Sequence, residues 1–367
     1  MRDERASRRG TSRVARSHGL HWPDHERTPH KVLRSSLAPI LRGDPLSDID
    51  DRRAAFAAAA TKFSGPLYRY WCSTAAAEIA ADDRTFTAFA SYGLDFGGWQ
   101  AAQRLLRATS EELRHLGPQR PLAGYFPVLN GTLPPDGRSY QLWTELLRDR
   151  RGPIGRRLQE RPLPLNDPQA GVRMLRLVTE HLQSVYAEPV IIDLVAVGAA
   201  AGLELVADEF EPDLLAGQHI ASRRGFDIHP LHPQESDTLD RMLSQLEPEQ
   251  VAAQKRVQRA VRLVDERDIV VSRRDAFDVV AAEGFGFGRL PVVFGSSFLC
   301  MIDDRRKMDD LMRARHAEGI WVSEEAVGVL RSVSDAAPLR DAEPTDRAVR
   351  LAHYRAGELL AEVIQSD

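Results

Sequence analysis

Hydrophobic and polar positions along the chain fall into two regimes. From residue 47 to about 159, apolar side chains return every three to four positions, as on one face of a helix. An Ala-rich run opened by Arg52 and Arg53 leads into Pro66, Leu67, Tyr68, Trp71 and Cys72. The helical pattern returns at 142–158 after a Gly/Pro-rich stretch, 124–137, which reads as a long aromatic loop of the kind that lines sites. After Pro168 the period changes. A helical stretch carrying Val172, Leu175, Val178, Leu182 and Val185 ends at Glu188 and Pro189, and an unbroken apolar run at 190–195 follows, as expected of a strand covered on both faces. Further strands are predicted at 226–228, 268–271, 291–294 and 320–322, with helices at 239–264 and 305–316. The segments 348–353 and 358–363 predict an antiparallel hairpin at a sheet edge, with a single helix as the alternative. This alternation predicts an α/β fold: a doubly wound, mostly parallel, Rossmann-like sheet under an N-terminal α-helical cap. Residues 1–46, rich in Arg, Ser and His with almost no apolar periodicity, are expected to form a flexible tail, 47–167 the cap domain and 168–367 the α/β domain.

Composition removes several alternatives. A chain of 367 residues, 43% hydrophobic and 28% charged, is an ordinary globular polypeptide and no collagen or coiled coil. Its 49 basic and 53 acidic side chains give a net charge of -4, without the positive field that nucleic acid demands, so no nucleic-acid partner is expected. No stretch of roughly eighteen apolar residues and no apolar leader core is present, which predicts no membrane partner and a cytoplasmic location. Cys72 and Cys300 sit in apolar stretches and read as small buried hydrophobes. The irregularly spaced His18, His21, His25 and His30 make no metal pattern, and no metal is expected.

Candidate chemistry begins at the turn after the first strand, where small residues let backbone N–H groups approach a ligand. Here that turn, 197–203, carries Gly198, Ala200 and Gly202, close to the glycine spacing of dinucleotide and S-adenosylmethionine turns. Ala196 stands where an acid normally ends the strand and helps to hold the ammonium end of the methionine moiety. Tight helix–strand packing is the alternative use of such a turn. His229, Pro230, Leu231, His232, Pro233, Gln234 and Glu235 place two imidazoles and a carboxylate close together, but the prolines keep them off one helical face. His229 is therefore read as a general base beside the pocket. Gly295, Ser296, Ser297 and Phe298 lack the second glycine of a nucleophile elbow and are expected to face substrate at a strand end. Asp136, Asp167, Glu324 and Glu325 are the carboxylates expected at the mouth of the sheet or its cap, either as a base of raised pKa or as ligands for a cationic amine, against solvated loops as the alternative.

Several of these stretches, in this order, resemble bacterial proteins grouped as domain of unknown function 2332, regarded as having a class I methyltransferase-like fold. The carriers are Pro66, Leu67 and Tyr68, the stretch 124–127, Asn166 and Asp167, the turn 197–203, the run 226–231, Arg274, Asp275 and Ala276, and the run 321–325. The chain departs from the family's pattern at Ala196, Asp167 and Glu324. By analogy with methyltransferases, Gly198 and Gly202 would line the methionine end of S-adenosylmethionine, Asp227 would accept from the ribose and Asp275 would meet the adenine amine. The alternatives are a pairing of Asp227 with Arg223 or Arg224 and an N-cap role for Asp275. The resemblance implies a small-molecule tailoring enzyme of natural-product metabolism, transferring methyl from S-adenosylmethionine to an amine or hydroxyl. A second implied chemistry is an internal amine displacement closing a nitrogen ring of aziridine type in a vacated cofactor pocket. Such proteins occur alongside sulfotransferases, and here Arg273 and Arg274 would hold the departing anion. The substrate would be a small, amino-acid-derived molecule and a heteromeric partner enzyme would take part. A non-catalytic scaffold for that partner is the third expectation.

Overall fold

The computed structural model describes residues 49–79, 84–165, 167–282, 288–315 and 318–366. The tail predicted at 1–46, with its histidines, and Asn166 lie outside the described residues.

The first part is helical: α1 (Ile49–Ala60), α2 (Pro66–Glu78), α3 (Arg84–Thr87), α4 (Trp99–Leu116), α5 (Gly137–Asp149) and α6 (Arg151–Gln159). These helices enclose an aromatic core in which Trp71 and Trp143 stack with ring centroids 4.9 Å apart, inside a shell containing Phe56, Phe86 and Phe126. The helix expected over 142–158 is two, because Pro153 cannot donate to the preceding turn and fits only near the start of α6. The aromatic loop expected to line a site instead packs as two short 3-10 turns, Pro121–Tyr125 and Pro127–Leu129. Phe126 is fully buried, and the backbone of Val128 is tied to Pro248 at 3.0 Å and to the Gln254 side chain at 2.8 Å. The start of α2 is held from outside: Glu247 accepts the Gly65 N–H at 2.5 Å and Glu249 that of Leu67 at 2.8 Å. Two remote carboxylates thus do the work of an N-cap around Pro66.

α7 (Pro168–Val185) leads into the sheet, whose strands are β1 (Ile191–Val197), β2 (His219–Asp227), β3 (Val271–Arg273), β4 (Leu290–Ser296), β5 (Glu318–Ala326), β6 (Arg347–Arg355) and β7 (Glu358–Ser366). Their spatial order is 3-2-1-4-5-6-7; β1 to β5 pair in parallel, while β6 runs antiparallel to both β5 and β7. The sheet is therefore mixed, mostly parallel with an antiparallel edge, and the final segments form the hairpin rather than a helix. Ile192, Leu194 and Ala196 pack with α7, whereas Val195 and Val197 face the layer containing α10 (Ala276–Ala282), α11 (Lys307–Arg315) and α12 (Val327–Leu330). The helix expected at 239–264 is split around Pro248 into α8 (Ser236–Leu243) and α9 (Val251–Glu266). Both cover the 3-10 segment Leu203–Phe210 that follows β1.

Three further expectations shift. β2 begins at His219, earlier than its predicted core, because its first half is only partly covered and carries Ser222, Arg223 and Arg224. β3 begins at Val271, later than 268, because Asp268 adopts φ 50° and Ile269 still donates to Val264, closing α9. Cys300 is exposed, not a buried hydrophobe, because it lies in a short turn beyond β4; Cys72 is buried. At the amino ends of the parallel strands His181 and His353 meet at 2.9 Å, and His353 reaches Glu318 at 3.1 Å. Among the described residues no helix is long and apolar enough to cross a membrane.

Candidate functional site

The order of the strands reverses at β1, and open α/β sheets place ligands outside the carboxyl ends of the strands at such a point. Gly198 (φ 62°), Ala200 (φ 47°) and Gly202 (φ 73°) make a left-handed turn there, glycine removing the steric cost at two of the three positions. Three main-chain donors of this turn are engaged within the protein. The Ala199 N–H donates to the Phe226 carbonyl at 3.1 Å, that of Ala200 to Asp227 Oδ2 at 2.9 Å and that of Gly202 to the Ala199 carbonyl at 2.6 Å. Asp227 Oδ1 accepts the His229 N–H at 2.7 Å, so this carboxylate clasps the turns after β1 and β2 together. It is not paired with Arg223, which instead binds Asp208 at 2.7 Å. A side-chain carbon on Gly198 would lie 3.0 Å from the Phe298 ring, and one on Gly202 would lie 3.0 Å from Val271. His229 is exposed.

Several predicted residues act as helix caps. Asp275 accepts the Phe277 N–H at 2.8 Å at the start of α10, and Arg274 lies over the Phe226 ring. Asp136 caps α5 through a reciprocal box with Ser139, inside the helical part. Asp167 caps α7 through the Gln169 N–H at 2.9 Å and pairs with Arg256 at 3.1 Å.

Glu324 and Glu325 are both buried, which overturns the solvated-loop alternative, and strand alternation sends them to opposite faces of β5. On one face Glu325 accepts the Leu299 N–H at 2.6 Å, and burial pushes its carboxyl up to about 7. On the other, Arg173 of α7 grips Glu324 through two bonds, at 2.9 and 2.7 Å. Arg347, the first residue of β6, adds a third at 3.2 Å and also donates to Ser297 Oγ at 3.0 Å. Ser297 takes φ 52°, and its N–H donates to the Glu324 carbonyl at 2.9 Å. The segment 295–298 thus stands at a strand end, as expected.

Beside these ion pairs lies Glu204, in the 3-10 segment after the turn and only 1% exposed. Ser296 donates to its carboxylate, yet Oε1 has no hydrogen-bond partner among the described residues. Burial pushes this acid up to about 8; the Ser296 hydrogen bond and the nearby charge of Arg347 oppose the shift, and Glu324 and Asp167 reinforce it. Two buried carboxyl groups therefore stand close together, Glu324 gripped by two guanidiniums and Glu204 favouring its neutral form. Arg173 and Arg347, with side chains 28% and 40% exposed, form the solvent side of the cluster. Sequence reasoning missed Glu204, Arg173 and Arg347. The available signal was a single acid inside the apolar run 203–206 directly after a small-residue turn.

A family profile described as an uncharacterized protein conserved in bacteria matches residues 50–218 and 211–365. Comparisons with curated proteins and with solved structures gave no match. With nearly all of the described chain spanned by that profile, the protein belongs to the bacterial family of domain of unknown function 2332.

Proposed function

We propose that the chain is a small-molecule enzyme whose Glu204 cluster takes a proton from an amine, and that its reaction is an internal displacement rather than a methyl transfer. The observation that carries this reading is Glu204, a buried carboxyl pushed up to about 8, with an unpartnered oxygen and flanking guanidiniums. The substrate class is an ammonium bearing a sulfate or phosphate ester on the neighbouring carbon. Ionised Glu204 removes one ammonium proton, and the freed nitrogen lone pair forms the new C–N bond. The C–O bond to the ester breaks with its electron pair, giving a three-membered ring and a free oxyanion. Arg173 and Arg347 exchange part of their hold on Glu324 for that anion, planar guanidinium being suited to bidentate oxyanion recognition. This assigns to Arg173 and Arg347 the role that the sequence suggested for Arg273 and Arg274.

The finer expectation of a methyltransferase-type sheet draws support from the parallel order 3-2-1-4-5, but the antiparallel hairpin is a departure at the edge. The residues of the turn do not fit S-adenosylmethionine well: the Ala199, Ala200 and Gly202 donors and both oxygens of Asp227 already have protein partners, and Ala196 offers no acid.

The test is release of sulfate from a vicinal amino sulfate, with ring formation followed by mass spectrometry. Glu204→Gln is expected to lower kcat/KM by roughly 10²–10⁴, the usual span for losing a positioned base. The lower limb of the pH profile near 8 should vanish with it. Micromolar binding of S-adenosylmethionine, weakened by Asp227→Ala and Asp275→Ala, would instead establish methyl transfer.

A further inference from the structure

The geometry points to a second binding site, for an aromatic carboxylate, in a cleft between the helical part and the α8–α9 connection. The cleft has a volume of about 290 Å³ and shares no residue with the Glu204 cluster. Its floor comes from one helix: Trp99, Gln103 and Arg107 recur every four residues along α4 and so lie on a single stripe, running from a half-buried aromatic to a guanidinium only 5% exposed. The α1–α2 connection and the start of α2 supply Lys62 at the rim with Phe63 and Tyr68 as a wall. Those two rings meet edge to face at 5.3 Å, and the Tyr68 hydroxyl turns away to the Leu106 carbonyl at 3.4 Å, so its ring rather than its hydroxyl serves the cleft.

Charge selects the ligand. Behind the floor Arg107, Arg150, Arg157 and Arg241 surround Glu111 and Glu112, with Arg107 on Glu111 at 3.4 Å and Arg157 on both acids at 2.5 and 3.0 Å. Half-exposed Glu160 lies 3.3 Å from Arg241, Asp240 adds a fourth carboxylate beside Arg157, and Arg104 and Arg114 bring the guanidiniums to six. The Arg107 Nε–H finds no acceptor among the described residues. Glu247, the acid that lines the cleft, keeps its charge while both its oxygens are turned to the N–H groups of Ser64 and Gly65 ahead of α2. Among the residues that line the cleft, Lys62 and Arg107 outnumber this one carboxylate two to one. The volume lies at the small end of ligand pockets and fits one or two fused rings. Aromatic walls hold the ring by offset contacts, and Lys62 with Arg107 supplies the field for a carboxylate.

Indole-3-acetate, its neutral amide, tryptamine and plain acetate serve as probes in isothermal titration against the full chain. The acid is expected to bind about tenfold or more tightly than the amide. Tryptamine and acetate should show no binding at millimolar concentration. Lys62→Glu and Trp99→Leu, both at partly or fully exposed positions, should each weaken the acid about tenfold or more while the circular-dichroism spectrum is retained. Equal affinity for acid and amide, no binding of the acid at millimolar concentration, or an affinity indifferent to both substitutions would overturn the assignment.

Discussion

A carboxyl group shielded like that of Glu204 survives in the fold chiefly as the neutral acid, and this ties its chemistry to the stability of the chain. Its value rises from 4.5 unfolded to about 8 folded, so between those limits the native state holds the extra proton. Stability must then fall as pH rises through that window, with the full cost present above about 8. Glu325, raised from 4.5 to about 7 by burial, acts in the same direction over a narrower range. Glu204→Gln carries a permanent neutral mimic. Thermal melts should show the variant gaining on the wild type steadily from pH 5 to pH 8.5; a constant offset would contradict the assignment. One residue would thereby give up catalysis and gain stability, as expected where a site is held in a costly state.

At the scale of elements, the start of α2 rests on acids from another part of the chain. Glu247→Ala removes the acceptor for two backbone N–H groups and should cost on the order of 1 kcal/mol, read as a lower urea midpoint with an unchanged slope. Nothing in the stretch around Pro66 announces such a partner, since the pairing links residues far apart in the chain. The elements themselves were legible where burial is two-sided. β1 and β4 are almost wholly apolar, and the hairpin β6–β7 showed itself as two apolar runs around a glycine. Legibility failed where covering is partial, as along the arginines of β2, and where proline divided continuous helical patterns. Asp227 and Asp275 lie at strand ends, where the chain uses them to accept from its own backbone. Glu204 looked like an interruption in a core segment; only the arrival of Ser296, Arg173 and Arg347 from other elements distinguishes it.

Across the whole molecule, the two ends of the sheet pull stability in opposite directions with pH. Burial lowers the folded values of His181 and His353 below 6.5, so the unfolded chain takes up protons first and stability falls as pH drops beneath that value. Glu318, lowered by Tyr186 and Arg355 despite its partial burial, adds a further loss on the acid side. Opposed by Glu204 and Glu325, these groups place the maximum of a denaturation profile between about pH 5 and 7. His353→Gln should flatten the acid limb alone. The direction of β6 carries a different consequence. A strand laid parallel to β5 would have begun at the far rim; reversed, β6 delivers its opening guanidinium to the rim where β1, β4 and β5 finish. The grip on Glu324 that Arg173 of α7 begins is completed by a side chain translated among the last. Trimming the chain at Ala356 would bare the outer flank of β6 and loosen Arg347, so turnover should fade while the tryptophan stack of the distant helical part still reports a folded protein.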